Sequence, residues 1–304
     1  MEFLAPGSLA EALAAKAEQP GAVPVAGGTD VMVEINFDAR RPDALLDLNR
    51  VRELASWRRD GGQLRIGATV TYTRLIAELG TVLPGLAMAA RTVGSPQIRN
   101  RGTVGGNLGA ASPAGDTHPV LLAARASVEV RSVRGTRVIP AAEFYAGPKR
   151  NVLEPDELIT AVLIPAAPGP QQFAKVGTRN AMVIAVCAFA LELRPPAAGR
   201  PPEVGTGIGS AGPTPLRAAD AEEFLAGVLA EPGRWDEPDP LPDPVTARFG
   251  ELVAAAARPI DDVRGSAAYR RHALGVLARR TLGWAWAEAR RAESRRAERR
   301  TECG

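Results

Sequence analysis

The sequence has very few of the residues that bind metal ions or iron–sulfur clusters. Among 304 residues there are two cysteines, Cys187 and Cys303, and two histidines, His118 and His272. Iron–sulfur clusters need several closely placed thiolates, and these four residues show no metal-ligand spacing. The chain is therefore predicted to bind no metal centre of its own.

Lysine is also scarce: the chain has only Lys16, Lys149 and Lys175, so arginine supplies nearly all of the positive charge. The net charge is +3, and residues 288–302, with six arginines and four glutamates, contribute +2 of it. A nearly neutral body lacks the basic face that nucleic acid requires. No apolar run is long enough to span a bilayer, and no secretory signal is visible, which predicts a cytoplasmic protein without a membrane span.

The length of the chain predicts two or three domains, each with its own core. A Pro/Gly cluster at 165–170 is the best candidate for a domain boundary. A long C-terminal helix is predicted from about residue 266 to 286. The charged tail 287–304 has helical propensity but no apolar face, so disorder is predicted there.

Helix and strand signals alternate along the chain. Ser8 followed by Glu11 is a capping-box pattern that predicts a helix over 8–19, and Val23 to Ala26 indicates a short buried strand. Residues 63–68 and 127–133 indicate further strands, and 69–79 a helix. The pattern is that of a protein with both α and β elements.

Two glycine-rich segments are the most unusual features. Residues 94–119 contain six glycines and three prolines and almost no hydrophobic periodicity, which predicts an irregular but ordered backbone surface for a ligand. Gly27-Gly28-Thr29-Asp30 follows the first short strand. Such a junction directs consecutive N–H groups towards an anion, or is simply a tight turn without a ligand. Taken alone, it leaves both interpretations open.

Together, the two segments favour a cofactor that carries a diphosphate. Neither has the spacing of a Rossmann site or a P-loop. Glycine suits such a site because a side chain would hold the phosphates away from the peptide N–H groups. Lys175 either reaches the ligand or is an ordinary exposed strand lysine. No nucleophile–base pair is present, so no catalytic residue is predicted. Additional hydrogen bonds are predicted from the side chains of Thr29, Thr103, Asn107, Ser112 and Asp116.

Five motifs in order carry a resemblance to a known family. They are AGGTD, IRNRGTVGGNLGAASPAGDTHPVLLA, FYAGPKRNVLEPDELI, FAKVGTRNAMVIA and PIDDVRGSAAYRRH. The chain resembles the FAD-binding (medium) subunit of the xanthine dehydrogenase family of molybdenum hydroxylases, to which carbon monoxide dehydrogenase also belongs. The resemblance extends from about residue 1 to residue 284.

The resemblance implies an α+β fold of the vanillyl-alcohol-oxidase type. An FAD-binding domain over 1–170, with subdomains at about 1–56 and 57–170, precedes a C-terminal domain over 171–286 of antiparallel strands and helices. FAD lies between the two subdomains. Where the family often has a lysine this chain has Asn36, and where some members have a hydroxyl it has Ala110.

The resemblance also assigns parts of the cofactor to residues of this chain. Two loops hold the pyrophosphate, Ser112 and Asp116 lie near the phosphate and ribose, and four further residues lie near the isoalloxazine. The first loop comprises Ala26, Gly27, Gly28, Thr29, Asp30 and Val31, and Val25 before it is also predicted to bind the cofactor. The second comprises Thr103, Gly105, Gly106 and Asn107, and the isoalloxazine residues are Leu153 and Lys175 on one side and Val93 and Ile98 on the other.

The implied function is electron transfer within a complex. A large partner binds molybdopterin, a small partner holds two [2Fe–2S] clusters, and the assembly is a dimer of such heterotrimers. The FAD of this chain receives electrons and passes them on, with NAD as the favoured acceptor and oxygen or a quinone as alternatives. Two other functions remain open: a stand-alone flavin oxidoreductase of the same fold, and an assembly subunit without flavin.

Overall fold

A computed structural model describes residues 1–166, 169–197, 199–235 and 239–302, with side chains up to residue 291. Within these ranges the helices are α1 (Leu9–Glu18), α2 (Val31–Asn36), α3 (Tyr72–Leu79), α4 (Pro84–Thr92), α5 (Pro96–Arg101), α6 (Val104–Ala110), α7 (His118–Ala123), α8 (Ala219–Leu229), α9 (Asp243–Ala256) and α10 (Ala267–Glu302). The strands are β1 (Glu2–Leu4), β2 (Val23–Val25), β3 (Ala44–Asp47), β4 (Trp57–Asp60), β5 (Gln63–Gly67), β6 (Ser127–Ser132), β7 (Gly135–Pro140), β8 (Tyr145–Gly147), β9 (Arg150–Asn151), β10 (Leu158–Pro165), β11 (Gln171–Val176), β12 (Cys187–Arg194) and β13 (Glu203–Gly209).

The N-terminal part is a small parallel sheet in the order β1-β3-β2. Helix α1 begins where predicted, because the Ser8 side chain accepts a hydrogen bond from the N–H of Glu11. The core beneath this sheet contains Leu9, Leu46 and Leu54, and Leu158 of β10 completes it from the next sheet. This sheet therefore packs directly against the middle part of the chain.

The middle part is a five-stranded antiparallel sheet in the order β4-β5-β10-β6-β7. Helices α3, α4, α6 and α7 lie over it, and their apolar faces form the largest core of the described residues. Thr71 caps α3 through its side chain, and Pro84 opens α4. The short hairpin of β8 and β9 stands apart from the large sheet.

The C-terminal part is a three-stranded antiparallel sheet, β11-β12-β13, that is covered on both faces. The alternation along β12 shows this directly. Cys187 and Phe189 face the core shared with α8, α9 and α10, whereas Ala188 and Ala190 face the core of the middle part. Burial raises the pKa of the Cys187 thiol to about 12, so this cysteine is a core residue rather than a nucleophile.

Helix α7 contacts β13 through a row of glycines. A Cβ atom at Gly205 would lie 1.9 Å from the carbonyl oxygen of Ala123, and one at Gly207 would lie 1.9 Å from that of Pro119. Because strand residues alternate between faces, glycine at every second position lets the helix backbone lie directly on the sheet. This contact joins the middle part to the C-terminal part.

The structure corrects two predictions of local structure and adds one strand. Residues 94–119 are not an irregular surface, since they contain α5, α6 and the start of α7. Strand β4 was not predicted. Helix α10 continues past Trp286 to Glu302, and Ala289 is buried, so the predicted disorder is wrong at its beginning. Residues 303–304, with Cys303, lie outside the described residues.

The prediction of an α+β protein is confirmed. The predicted boundary at 165–170 includes residues 167 and 168, which the structure does not describe, so the domain limits stay predictions. In the part of the chain that is described, no helix is long and apolar enough to cross a membrane. The same part contains no group of three or more metal-ligating side chains.

Candidate cofactor-binding site

A cavity of about 480 Å³ lies between the N-terminal sheet and the middle part of the chain. All but three of the predicted site residues line it, and the three exceptions are Ser112, Asp116 and Lys175. A wider groove of about 1040 Å³ beside α9 and α10 contains none of them. The predicted residues in the cavity wall are Val25, Ala26, Gly27, Gly28, Thr29, Asp30, Val31, Val93, Ile98, Thr103, Gly105, Gly106, Asn107 and Leu153.

The first loop, residues 26–31, lines the cavity and contains unbonded backbone N–H groups. The N–H groups of residues 27–31 donate no hydrogen bond to any described residue. Gly28 has φ +74°, a conformation that favours glycine and turns the chain into α2. Consecutive free N–H groups at a concave turn are what a phosphate anion requires.

The second loop, residues 103–107, differs from the first because the N–H groups of residues 104–107 are already bonded. Those of Val104 and Gly105 donate to the carbonyl oxygens of Val70 and Ala68, at 3.4 and 3.0 Å. The N–H of Gly106 donates to the Thr103 hydroxyl at 3.0 Å. Only the first loop therefore shows the expected set of free amides.

The glycines of the two loops serve more than one purpose. A Cβ atom at Gly27 would lie 1.9 Å from the carbonyl oxygen of Arg101, and one at Gly105 would lie 2.6 Å from Ala68. Both glycines thus allow protein backbones to approach each other, which corrects the interpretation that they only make room for phosphates. At Gly106 the nearest atom to such a Cβ is the Thr103 hydroxyl, at 3.0 Å, and the glycine is exposed. Gly106 fits the original interpretation.

Asn107 connects the cavity wall to a buried polar network. Its Nδ2 donates to the Thr117 hydroxyl at 2.7 Å, and the Tyr72 hydroxyl lies 3.4 Å from the same oxygen. Thr117 and Tyr72 are fully buried. The Asn107 side chain therefore fixes α6 to the segment before α7.

Asp116 and Lys175 form a buried ion pair. Lys175 Nζ lies 2.7 Å from Asp116 Oδ2 and 3.4 Å from the carbonyl oxygen of Thr92, and both side chains are more than nine-tenths buried. The Thr92 hydroxyl donates to the same carboxylate oxygen at 3.0 Å. Burial raises the pKa of Asp116, and the Lys175 ammonium opposes that rise. The pair fastens β11 to the end of α4, next to Val93 in the cavity wall. Ser112, the third predicted residue outside the cavity wall, accepts a hydrogen bond from the N–H of Ala114.

Three cationic residues in the cavity wall were not predicted as site residues. Lys16 donates to the carbonyl oxygens of Pro20 and Ala22 at 2.6 and 2.7 Å, and burial lowers its pKa. Lys149 and Arg40 contact Glu34 of α2 at 2.9 and 3.6 Å. Lys149 and Arg40 therefore lie near Asn36, the residue of α2 at the position where the family often has a lysine. The scarcity of lysine could have pointed to two of them, since Lys16 and Lys149 both line the cavity.

The β8–β9 hairpin holds Lys149 against the C-terminal end of α6. The N–H of Lys149 donates to the carbonyl oxygen of Ala111 at 3.1 Å, and Asn151 Nδ2 donates to that of Gly109 at 3.0 Å. Both contacts involve the backbone around Ala110. The missing hydroxyl at Ala110 therefore leaves the attachment of the hairpin intact.

His118 is fully buried at the start of α7. Its Nδ1 contacts the Tyr145 hydroxyl, and its Nε2 has no hydrogen-bond partner among the described residues. Burial lowers the pKa of His118 to about 3. The residue is thus a neutral core histidine.

His118 is expected to make stability depend on pH. Between about pH 6.5 and 3 the unfolded chain binds a proton at His118 that the folded protein does not. Stability therefore falls as the pH falls, by up to about 1.4 kcal/mol per pH unit from this group. The free energy of unfolding, measured with urea at pH 7, 6 and 5, should fall less steeply with falling pH in His118→Gln than in the unmodified protein. His272→Gln, at an exposed histidine, is the control. If the free energy of unfolding depended equally on pH in all three proteins, His118 would not be the group responsible.

Two family models match the chain and together cover nearly all of it. The FAD binding domain in molybdopterin dehydrogenase matches residues 1–167. The CO dehydrogenase flavoprotein C-terminal domain matches residues 172–285. The cavity described above lies within the first match.

Named proteins and solved structures are similar over most of their length. The nicotinate dehydrogenase FAD-subunit of Eubacterium barkeri is 37% identical over 236 residues, 74% of this chain and 79% of that protein. The xanthine dehydrogenase FAD-binding subunit of Escherichia coli O157:H7 is 31% identical over 289 residues, 93% and 94% of the two chains. Quinoline 2-oxidoreductase from Pseudomonas putida 86 superposes with a TM-score of 0.84 at 26% identity, covering 95% of this chain and 98% of that chain.

The fold and the site define an FAD-binding oxidoreductase subunit. The chain belongs to the family of FAD-binding medium subunits of the xanthine and carbon monoxide dehydrogenases, whose molybdenum active site is on another chain. The predictions of the family, of FAD as the cofactor and of a C-terminal antiparallel sheet with helices are confirmed. The roles of individual site residues stay predictions.

Proposed function

We propose that this subunit transfers electrons within a molybdenum hydroxylase complex. It takes them from the [2Fe–2S] clusters of a small partner and delivers them to an acceptor, with NAD favoured over oxygen or a quinone. The observation that supports the cofactor's place is the row of free N–H groups at residues 27–31 in a cavity between two sheets. FAD suits this junction because it accepts electrons singly and releases two as a hydride.

The chain's own residues bind and orient the cofactor. The first loop supplies the amides for the pyrophosphate, and Gly106 leaves space at the second loop. Lys149 and Arg40, paired with Glu34, add positive charge beside the phosphates. Val93, Ile98 and Leu153 offer apolar surface to the ring system. Asp116 and Lys175 are proposed to lie behind the end of the cavity that Val93, Ile98 and Leu153 offer to the ring system.

The proposed assembly contains this chain, a large molybdopterin-binding subunit and a small iron–sulfur subunit, in two copies of each. The complex is proposed to work in the cytoplasm, where NAD is available. A stand-alone flavin oxidoreductase of the same fold is the second candidate.

Anaerobic titration of the purified complex with NADH tests the electron path. If NAD is the acceptor, NADH should bleach the flavin absorbance and then the iron–sulfur absorbance, because the path is reversible. If the flavin keeps its absorbance under NADH yet loses it with a reduced quinone, the NAD assignment is wrong. If the isolated subunit turns over a reducing substrate without partners, the stand-alone function is correct instead.

Gly106→Val is expected to abolish retention of FAD while the protein stays folded. Its side chain would occupy the exposed space at the start of α6 and disturb the bond from the Gly106 N–H to Thr103. Flavin content after gel filtration measures the effect. Gly227→Val, in an exposed turn of α8 with nothing within 4 Å, is the control for lost helix propensity. Full flavin occupancy in Gly106→Val would contradict the proposed position of the phosphates.

A further inference from the structure

Residues 28–41 form a segment in which no residue is buried. We call it the α2 segment, because it lies between β2 and β3 and contains α2. Its large apolar residues are also exposed, with Met32 at 40%, Val33 at 49% and Phe37 at 82%. In proteins most helical stability comes from packing an apolar face against a core. The α2 segment lacks that contribution, so its position depends on its polar contacts.

One ion pair joins the α2 segment to the rest of the protein. Glu34 Oε1 accepts a hydrogen bond from Lys149 Nζ at 2.9 Å. Every other hydrogen bond or ion pair that the described residues make with the α2 segment is internal to it, such as the contact of Arg40 with Glu34. The hydrogen bond from Lys149 lowers the pKa of Glu34, so this carboxylate is ionised at neutral pH.

The ion pair connects the two walls of the cofactor cavity. Glu34 lines the cavity from the α2 segment, and Lys149 lines it from the middle part, where the β8–β9 hairpin is fastened to the end of α6. The two side chains are 25% and 60% exposed, which places the pair at the edge of the cavity rather than at its floor. Breaking this pair would leave the α2 segment without a polar contact to the opposite wall.

A bend in the backbone lies on each side of α2. Gly28 has φ +74° and Asp38 has φ +56°, both in the left-handed region. Glycine enters that region without a steric cost, and aspartate is among the residues that tolerate it. Hinges absorb their changes in φ and ψ at loop and element-terminal positions of this kind. Gly28 and Asp38 are therefore suited to be the two hinges of a moving segment.

We propose that the α2 segment is a lid over the cofactor cavity and that Glu34 and Lys149 form the latch that keeps it closed. The inference rests on the position of FAD proposed above, and it goes beyond electron transfer because it concerns how the cofactor enters and leaves. An open lid withdraws the free N–H groups of residues 28–31 from the pyrophosphate, so the latch sets the rates of FAD release and uptake. The residues of the lid that line the cavity are Gly28, Thr29, Asp30, Val31, Glu34 and Arg40.

Glu34→Gln in the purified complex tests the latch, because glutamine keeps the shape of the side chain but cannot form the ion pair. FAD release after dilution and FAD uptake by the FAD-free complex, both followed by flavin fluorescence, should each become about fivefold faster, as expected for the loss of one partly exposed ion pair. A carboxylate that acted only by repelling the phosphates would give slower release, since its removal would tighten binding. Glu251→Gln is the control and should change neither rate. Its pair with Arg248 on α9 has a nitrogen–oxygen distance of 3.1 Å, and neither residue lines the cavity.

A double-variant cycle and hydrogen exchange complete the test. Lys149→Met breaks the same latch, so the variant with both substitutions should release FAD no faster than the faster single variant. In the FAD-free complex, the amides of the α2 segment should exchange faster in Glu34→Gln than in the unmodified protein. Unchanged or slower release in Glu34→Gln, unchanged exchange of the α2 segment, or additive effects of the two substitutions on release would overturn the proposal. These measurements need no electron donor or acceptor, so failure of the lid is distinguishable from failure of the proposed electron path.

Discussion

Replacing Gly207 by alanine is expected to destabilise the protein by about 3 kcal/mol or more, although only one methyl group is added. The added Cβ would lie 1.9 Å from the carbonyl oxygen of Pro119, and backbone atoms cannot rotate away as a side chain can. Helix α7 must therefore rise from β13, which opens the contact between the middle and C-terminal parts. Urea unfolding should show a lower midpoint with an unchanged slope.

A second glycine provides the control for this prediction. Gly62 lies in the turn before β5, its φ is ordinary, and a Cβ there would meet nothing within 4 Å. Gly62→Ala is expected to leave the midpoint unchanged or to raise it slightly, because alanine restricts the unfolded chain. A Gly207→Ala protein as stable as Gly62→Ala would mean that α7 does not rest on the backbone of β13.

These glycines show where sequence reasoning reaches its limit. A glycine next to a ligand and a glycine next to another backbone leave the same trace in a sequence. Gly106 is open towards the cavity, whereas Gly27 and Gly207 each allow two backbones to meet. Distinguishing them requires the position of Arg101 or Pro119, and those positions depend on tertiary contacts that one sequence does not encode locally.

Local signals were predictable wherever a single side chain acts on its own backbone. Ser8 caps α1 and Thr71 caps α3, as their positions in the sequence suggest. The same rule applied to Ser95-Pro96 and Thr103 would have identified α5 and α6, since both residues accept the expected capping bonds. Their weak apolar pattern hid these helices. Strand β4 was missed because only one of its four residues, Trp57, is apolar.

The family motifs located the cavity wall, but not how the predicted site residues interact. They placed Asp116 near the ribose and Lys175 near the isoalloxazine, whereas the two side chains form one ion pair across 59 residues of sequence. Matching a motif to a family assigns a role to each residue separately. A contact between two motifs depends on how β11 packs on α4, and that is set by the core of the middle part.

Lys175→Met is expected to cost about 3–5 kcal/mol of stability, because it leaves the Asp116 carboxylate buried without its cation. Asp116→Asn should cost a similar amount, since it leaves the ammonium of Lys175 unpaired. The double variant should be more stable than either single variant, because an uncharged pair needs no compensation. Urea unfolding of the four proteins gives the coupling energy, and a potentiometric titration gives the flavin potential, which should change in all three variants.

The exposed pair Arg58–Asp60 is the matched control for this cycle. Its nitrogen–oxygen distance is 3.1 Å, but both side chains are more than half exposed. Water screens such a pair, so the coupling energy should be below about 1 kcal/mol. If the effects of Asp116→Asn and Lys175→Met were simply additive, the buried pair would not act as a unit. If the flavin potential stayed constant while stability fell, the pair would only fasten β11 to α4, and its proposed place behind the ring would be wrong.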